Sequence, residues 1–170
     1  MSDIAVRLLN KTEASLFRKI RLEALQKNPE AFTSSYQEEE ILPLQRFEEQ
    51  VEKAAIFVVF DGKEPVGVAA LGAERSLKKS HIGRLWSVYV RDSARRKGAG
   101  SKLLEAVLDH AIQHFDLIQL TVSAANPSAR RLYEKAGFEE YGFEKFAVKY
   151  NGAYADEVLM MKPLKISQAS

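Results

Sequence analysis

The chain has 170 residues, with 25 Lys and Arg against 23 Asp and Glu and a formal net charge of +2. This length fits one domain, and 46% hydrophobic with 28% charged residues exclude wholesale disorder. Cysteine is absent, which excludes disulfides, thiolate metal sites and a catalytic cysteine. The longest apolar run covers residues 54–60, and no basic segment precedes an apolar one at the start. We therefore expect no membrane span, no secretory signal and a cytoplasmic location.

The first part of the chain predicts strands, two helices and a hairpin. Its elements are, in chain order, a strand over residues 4–8, helices over 11–26 and 43–53, and strands over 55–60 and 66–73. Asn10 and Glu13 have the spacing of a capping box, and Pro29 ends the first helix. Residues 30–42 are interpreted as a loop, and the acidic run 38–40 within it as a solvated surface.

The second part predicts two more helices among four more strands. Its elements are a strand over residues 82–90, a basic loop over 91–100, a helix to about residue 115, a strand over 117–122, a helix over 127–136, and strands over 143–150 and 155–161. Asn126 is the expected N-cap of the last helix and Gly137 its C-terminal stop, while Asn151 and Gly152 indicate a tight hairpin. These elements predict an α/β (α+β) fold with a mixed sheet covered by helices. We expect one domain over residues 1–166 and a frayed tail over 167–170.

The basic loop is the segment that points most directly to a ligand. It joins a strand to a helix, whose first turn has unpaired amides and a partial positive charge. Gly98 and Gly100 let the backbone approach an anion. Positive charge comes from Arg95, Arg96, Lys97 and Lys102. The pattern predicts a phosphate site, most naturally for a pyrophosphate. The spacing of a P-loop is missing, and Leu103 replaces the third glycine of a dinucleotide fingerprint. A basic turn that only caps the helix is the alternative.

Two motifs resemble the GNAT superfamily of N-acetyltransferases. Arg95-x-x-Gly98-x-Gly100, after a strand ending in Val88-x-Val90, resembles the acetyl-CoA signature of that family. Residues 126–138 resemble its second motif, a helix opened by Asn and ending in Tyr-Glu-Lys-x-Gly-Phe. The motifs stand in the family's order, and the element order extends the similarity to nearly the whole chain. The resemblance implies a largely antiparallel sheet of about seven strands, split in a V between residues 82–90 and 117–122, with about four helices.

The resemblance also implies acetyl-CoA as the acetyl donor and assigns residues to it. The pantetheine arm is expected in the V and the pyrophosphate on the amides of residues 95–101. The implied cofactor-binding residues are Val88, Tyr89, Val90, Arg95, Arg96, Lys97, Gly98, Ala99, Gly100, Ser101, Asn126, Ser128 and Tyr133. Tyr133 is further implied to be the catalytic general acid for the leaving thiolate, although helical spacing alone favours a core aromatic residue. Direct attack by the amine in a ternary complex is expected.

The base and the acceptor stay open at the level of the sequence. Many relatives carry a Glu on the strand equivalent to 82–90, and this strand has none. A water relayed through Ser87 or the backbone is preferred, with Glu23 as a remote alternative. The acceptor is expected to be a small-molecule amine, a protein N-terminus or a Lys. Its pocket is expected between the first helix, the loop after it and the last hairpin, with Phe32, Tyr36, Trp86 and Ser87 as substrate-binding residues.

Other functions are weighed against this interpretation. His110 and His114 have a spacing that can bind metal, but no accompanying Glu motif is present, so we expect no metal site. The basic loop lacks the aromatic pattern of an RNA-binding motif, so we expect no nucleic-acid partner. The main alternative is a catalytically silent module that binds acyl-CoA for sensing. A homodimer is expected by analogy alone.

Overall fold

The computed structural model describes residues 2–166, which build one seven-stranded sheet of order β1-β2-β3-β4-β5-β7-β6. The strands are β1 Ile4–Leu8, β2 Ala54–Asp61, β3 Glu64–Ala73, β4 Ile82–Val90, β5 Leu117–Ser123, β6 Glu139–Tyr150 and β7 Ala153–Pro163. Every neighbouring pair is antiparallel except β4 and β5. The predicted mixed, largely antiparallel sheet is confirmed. The predicted tail, residues 167–170, lies outside the described residues.

The parallel pair β4–β5 is where the sheet opens. The two strands pair only over three positions, from Ile82 with Leu117 to Arg84 with Gln119. Beyond Arg84, β4 keeps its antiparallel partner β3 but has no partner on the β5 side within residues 2–166. The main chain of the second half of β4 therefore faces a cleft, which confirms the predicted V.

Helices cover both faces of the sheet. They are α1 Ala14–Lys27, α2 Tyr36–Glu40, α3 Leu44–Lys53, α4 Asp92–Arg95, α5 Ala99–Ala111 and α6 Pro127–Lys135. Strand β2 is buried on both sides: Ile56 and Val58 join a core with α1 and α3, whereas Phe57 and Val59 join a core with α5. The four longer helices match the four predicted ones, and α2 and α4 are short additions.

Some elements differ from the predictions. The prediction that residues 30–42 form only a loop is wrong, because Ser35 and Glu38 make a capping box that starts α2. The interpretation of residues 38–40 as a solvated surface is also wrong for Glu39, which is buried. Helix α5 begins at Ala99 and ends at Ala111, four residues before the predicted end.

The turns that the sequence predicts are present. Asn151 and Gly152 have φ values of 49° and 78°, as a two-residue hairpin turn of type I′ requires. Gly137 has a φ of 96°, which suits the residue after a helix end. No helix among residues 2–166 has the length and apolar character to cross a bilayer.

Candidate active site

A cavity of about 330 Å³ lies in the V of the sheet, and we call it the cleft cavity. Strand β4, the first turn of α5 and helix α6 supply most of its wall. The lining residues are Asn28, Ala31, Val88, Tyr89, Val90, Arg95, Gly100, Ser101, Asn126, Ser128, Ala129, Leu132 and Tyr133. Most of the predicted cofactor-binding residues therefore meet at one place. Asn28 and Ala31, in the segment after α1, and Ala129 and Leu132, on α6, also line the cavity and were not among the predicted cofactor-binding residues.

Strand β4 has a bulge at the edge of this cavity. Val68 pairs with Tyr89 and Ala70 with Trp86, so Ser87 and Val88 together oppose a single residue of β3. Ser87 has a φ of 56°, in the left-handed region, which costs a non-glycine residue about 1–2 kcal/mol. A bulge bends its strand and interrupts the ladder. In β4 the bulge interrupts the pairing with β3 at Ser87 and Val88, in the part of the strand whose main chain faces the cleft.

The basic loop does not direct all its charges into the cavity. Arg95 lines the cavity, donates from Nε to the Val90 carbonyl oxygen at 3.0 Å, and pairs with Asp92 at 2.7 Å. Lys97 Nζ instead donates to Asp61 Oδ2 at 2.8 Å, at the turn between β2 and β3. Of the predicted positive side chains, only that of Arg95 belongs to the cavity wall.

The other predicted residues of the loop lie outside the wall as well. Arg96 is exposed, and Ala99 is fully buried in the core. Gly98 has a φ of 78° and precedes the first residue of α5 as its N-cap. None of Arg96, Lys97, Gly98 and Ala99 lines the cleft cavity. For these four residues, contacts between their main-chain amides and the cofactor stay a prediction.

Gly100 has a specific steric role. A Cβ at this position would lie 3.2 Å from Leu132 Cδ2 and 3.9 Å from Val90 Cγ2. The absence of a side chain therefore keeps the space between α5, α6 and β4 open. On the opposite wall, Asn126 Oδ1 accepts a hydrogen bond from the Ala129 amide at 3.2 Å, which confirms Asn126 as a helix cap.

Tyr133, on α6, lies on the wall of the cleft cavity. Its side chain is buried, and its ring packs edge-on against Phe138 with centroids 5.8 Å apart. No residue within 2–166 hydrogen-bonds its hydroxyl group. Burial raises the pKa of Tyr133 above the ordinary value near 10, so the phenol keeps its proton at neutral pH.

Glu23 forms a hydrogen-bonded cluster with Tyr89 and Arg91 beside the cleft. Arg91 donates to both of its carboxylate oxygens at 2.8 and 2.6 Å, and the Tyr89 hydroxyl donates to Oε2 at 3.0 Å. The Arg91 guanidinium holds the pKa of Glu23 below its usual value. Burial, followed by the bond to Glu23, raises the pKa of Tyr89 to about 12. Glu23 lines a neighbouring cavity of about 410 Å³ and not the cleft cavity, so it is poorly placed and poorly suited to be a base.

A second small cavity, of about 50 Å³, lies between the segment after α1 and the β6–β7 hairpin, and we call it the hairpin cavity. Its wall carries three carboxylate residues, Glu30, Asp156 and Glu157. Burial, and next the charge of Glu144, raise the pKa of Glu157. The hairpin cavity and the cleft cavity share Ala31 as a lining residue.

The predicted substrate-binding residues are only partly brought together. Phe32 lines the hairpin cavity, whereas Tyr36, Trp86 and Ser87 line neither cavity. Trp86 packs against Phe17 with ring centroids 6.3 Å apart. Ser87 is buried and accepts a hydrogen bond from an arginine of α1, which makes its oxygen a poor proton acceptor. The geometry therefore does not support the predicted water relay through Ser87.

No cluster of three or more His, Cys, Asp or Glu side chains suited to a metal ion is found in residues 2–166. His110 and His114 stack with ring centroids 4.4 Å apart, and burial, then the neighbouring His114, lowers the pKa of His110.

Comparison with solved structures supports the fold. The chain is similar to yncA from Salmonella typhimurium, solved with acetyl-CoA, with a TM-score of 0.83 and 20% identity over 98% of this chain and 96% of that one. It is also similar to a GNAT-family acetyltransferase from Streptococcus pneumoniae, with a TM-score of 0.81 and 23% identity over 95% and 99% of the two chains. A ribosomal-protein-alanine N-acetyltransferase from Brucella melitensis gives a TM-score of 0.80 at 24% identity, over 94% of this chain and 99% of that one. At these identities the similarity shows the fold alone.

Comparison of sequences adds the family. The uncharacterized N-acetyltransferase YuaI of Bacillus subtilis is 35% identical over 75 residues, which make up 43% of this chain and 43% of YuaI. The match thus spans less than half the length of that relative. The model of the acetyltransferase (GNAT) family matches residues 4–138, from the start of β1 to the residue before β6. That range includes both motifs and the whole wall of the cleft cavity, and the chain belongs to the acetyltransferase (GNAT) family.

Proposed function

We propose that the protein is an N-acetyltransferase that binds acetyl-CoA in the cleft cavity and transfers the acetyl group to an amine. The observation that carries the proposal is the convergence of both family motifs on this one cavity, beside the unpaired edge of β4. Bound acetyl-CoA supplies an activated thioester. The residues of this chain bind and orient it, and they donate and accept the protons of the reaction. Fold and family support acetyl-CoA as the donor.

The cavity walls suit the parts of acetyl-CoA. Within residues 2–166, the main chain of Val88 and Tyr89 has no strand partner on the β5 side, so it is available to the amides of a pantetheine arm. The amides at the start of α5, near Gly100 and Ser101, suit a pyrophosphate, and Arg95 adds the cationic side chain. We assign Asn126 and Ser128 to the opposite wall of the same donor site.

Tyr133 is the proposed general acid. Attack by the amine forms the new carbon–nitrogen bond and breaks the carbon–sulfur bond, and the departing sulfur takes the phenolic proton. Because burial raises the pKa of Tyr133, the phenol is protonated at neutral pH and can donate when the thiolate leaves. The residue lines the cavity from α6, opposite β4, where the thioester end of the donor is expected. The nitrogen of the new amide loses its extra proton to solvent, and solvent returns a proton to the tyrosinate.

The hairpin cavity is the proposed acceptor side. Glu30, Asp156 and Glu157 give it a negative character that attracts an ammonium group. An ammonium must lose a proton before it attacks, and Glu157 is the best-suited acceptor because its pKa is raised. In this proposal, a carboxylate from β7 acts as the base that β4 lacks. A small-molecule amine, a protein N-terminus and a Lys all fit this chemistry, and the predicted homodimer and cytoplasmic location stay predictions.

The decisive experiment combines binding and turnover. Calorimetry with acetyl-CoA should show binding, and a panel of polyamines, amino acids and peptides should release CoA thiol with at least one member. Binding without turnover on any amine would favour the sensing module. No binding at saturating acetyl-CoA would refute both functions.

Two variants test the assignment of the two sides. Gly100→Val places a branched side chain against Leu132 and should raise the Kd for acetyl-CoA at least about tenfold, with Gly100→Ala intermediate. Glu157→Gln should lower kcat about 100-fold with little change in that Kd. Unchanged affinity in Gly100→Val, or unchanged turnover in Glu157→Gln, would contradict the respective assignment.

A further inference from the structure

Three polar side chains are buried together behind the bulge of β4, outside both cavities. Arg21 on α1, Glu39 on α2 and Ser87 on β4 are 5%, 9% and 5% exposed. Arg21 donates from Nε and Nη2 to the two Glu39 oxygens at 3.0 and 2.8 Å, and from Nη1 to Ser87 Oγ at 3.0 Å. The rings of Phe32 and Trp86 each lie 5.5 Å from Arg21 Cζ. We call Arg21, Glu39 and Ser87 the Arg21 triad.

Stability alone is a weak reason for this arrangement. A buried ion pair must be stripped of water, and well-packed apolar side chains in its place are often equally stable. The bidentate bond to Glu39 satisfies the charge of Arg21, but it leaves the third contact, to Ser87, unexplained. That contact is made to Ser87, the residue of β4 whose backbone has an unfavourable positive φ.

Ser87 needs such a contact. Its φ of 56° is unusual for a residue other than glycine, and such a backbone persists only where its surroundings hold it. Among residues 2–166, the hydrogen bond that its side chain accepts comes from Arg21, and it is a strong, charge-assisted bond. Ser87 also begins the bulge, and the next residue, Val88, lines the cleft cavity.

We propose that Arg21 is a positioning residue for the donor site. By holding Ser87 Oγ, it fixes the left-handed backbone and the bulge, and thereby the main chain that Val88 offers to acetyl-CoA. Glu39 orients the guanidinium for this task, and the two aromatic rings keep water away from it. The inference rests on the proposed function, because it assigns acetyl-CoA to the cleft cavity.

The deciding variant is Arg21→Met/Glu39→Met, which removes both charges together. Methionine is flexible and packs well against aromatic rings, and removing both charges leaves no unpaired buried charge, so Tm should stay near that of the wild type. The Kd for acetyl-CoA should nevertheless rise about tenfold, the effect of losing about one hydrogen bond to a displaced main chain. A folded double variant with the Kd of the wild type would overturn the proposal.

Variants of Ser87 test the route of the effect. Ser87→Ala leaves the ion pair intact and removes only the oxygen that Arg21 bonds, so it should also raise the Kd for acetyl-CoA. If the double variant does not fold, Ser87→Ala provides the test on its own. Adding Ser87→Gly to the double variant should restore part of the affinity, because glycine adopts a positive φ without strain. A merely structural role for Arg21 predicts no such rescue, and its absence would overturn the route through Ser87.

A matched control separates this inference from a general loss of ion pairs. Arg7 on β1 makes a bidentate pair with Glu13 at 2.8 and 2.7 Å, at the far edge of the sheet. Arg7→Met/Glu13→Met should leave the Kd for acetyl-CoA unchanged. If the wild type itself binds no acetyl-CoA, the proposed function fails. If the wild type binds and the Arg21 variants bind equally well, only the role of Arg21 fails.

Discussion

Removing the hydroxyl group of Tyr133 should separate catalysis from folding. In Tyr133→Phe the ring keeps its place against Phe138, 5.8 Å away between centroids. Because no residue within 2–166 hydrogen-bonds the hydroxyl, the variant loses no bond within the described part of the protein. We therefore expect the free energy of unfolding to change by less than about 1 kcal/mol.

The effect on rate should be much larger. A positioned general acid contributes about 10²–10⁴-fold, equivalent to about 2.7–5.4 kcal/mol of barrier at about 1.36 kcal/mol per tenfold change. The Kd for acetyl-CoA should stay within about threefold of the wild type, because the ring still lines the cavity. The expected signature is a fall in kcat at nearly constant donor affinity and stability.

The assay measures CoA-thiol release at saturating acetyl-CoA, calorimetric binding and urea unfolding on the same preparation. Tyr141→Phe, the same change at an exposed position of β6, is the control and should keep the turnover of the wild type. Because burial raises the pKa of Tyr133, its proton should cause no loss of rate between pH 6 and about pH 10. Turnover of Tyr133→Phe within about threefold of the wild type would refute the role as an acid.

The remaining predictions concern stability. Gly67→Ala should lower the free energy of unfolding by about 1–3 kcal/mol in urea titrations, because its Cβ would lie 2.6 Å from the Tyr89 carbonyl oxygen. Gly72→Ala on the same strand, with no contact closer than 3.7 Å, should stay near the wild type, and equal losses would contradict the steric argument. Arg91 lowers the pKa of Glu23, so the stability from this carboxylate is present above about pH 4.5 and is lost as pH falls through the lowered pKa. Glu23→Gln should flatten that acid-side fall in Tm, and an unchanged curve would show that the pair does not contribute.

Elements with local signals could be predicted from the sequence. The hairpin at Asn151 and Gly152 and the cap at Asn126 depend on neighbouring residues, and the structure has both. The capping box of Ser35 and Glu38 is an equally local signal, and it marks the start of α2. The V of the sheet came from the family resemblance, because strand pairing is a long-range property that no local pattern carries.

The composition of the site was harder to predict than its location. Four cations cluster around the glycines of the basic loop, yet Lys97 bonds Asp61 and Lys102 bonds the Ile4 carbonyl oxygen. These partners lie 36 and 98 residues away in the chain. Basic residues close in sequence to an anion-binding loop therefore predict that the loop has a positive electrostatic potential. They do not predict which of the side chains point into the site. Only Arg95, whose Nε bonds a carbonyl of the preceding strand, stays on the cavity wall.

The acidic run shows the same limit more sharply. Glu38 and Glu40 are exposed while Glu39 between them is buried, although the three are the same residue type in sequence. What distinguishes Glu39 is Arg21, 18 residues earlier, and Arg21 in turn reaches Ser87, 66 residues later. A left-handed backbone is normally predicted from glycine or asparagine. At Ser87 a tertiary hydrogen bond takes the place of that local preference. The bulge that shapes the donor side of the cleft thus depends on a partner that lies far away in sequence, and for this reason its position could not be predicted from β4 alone.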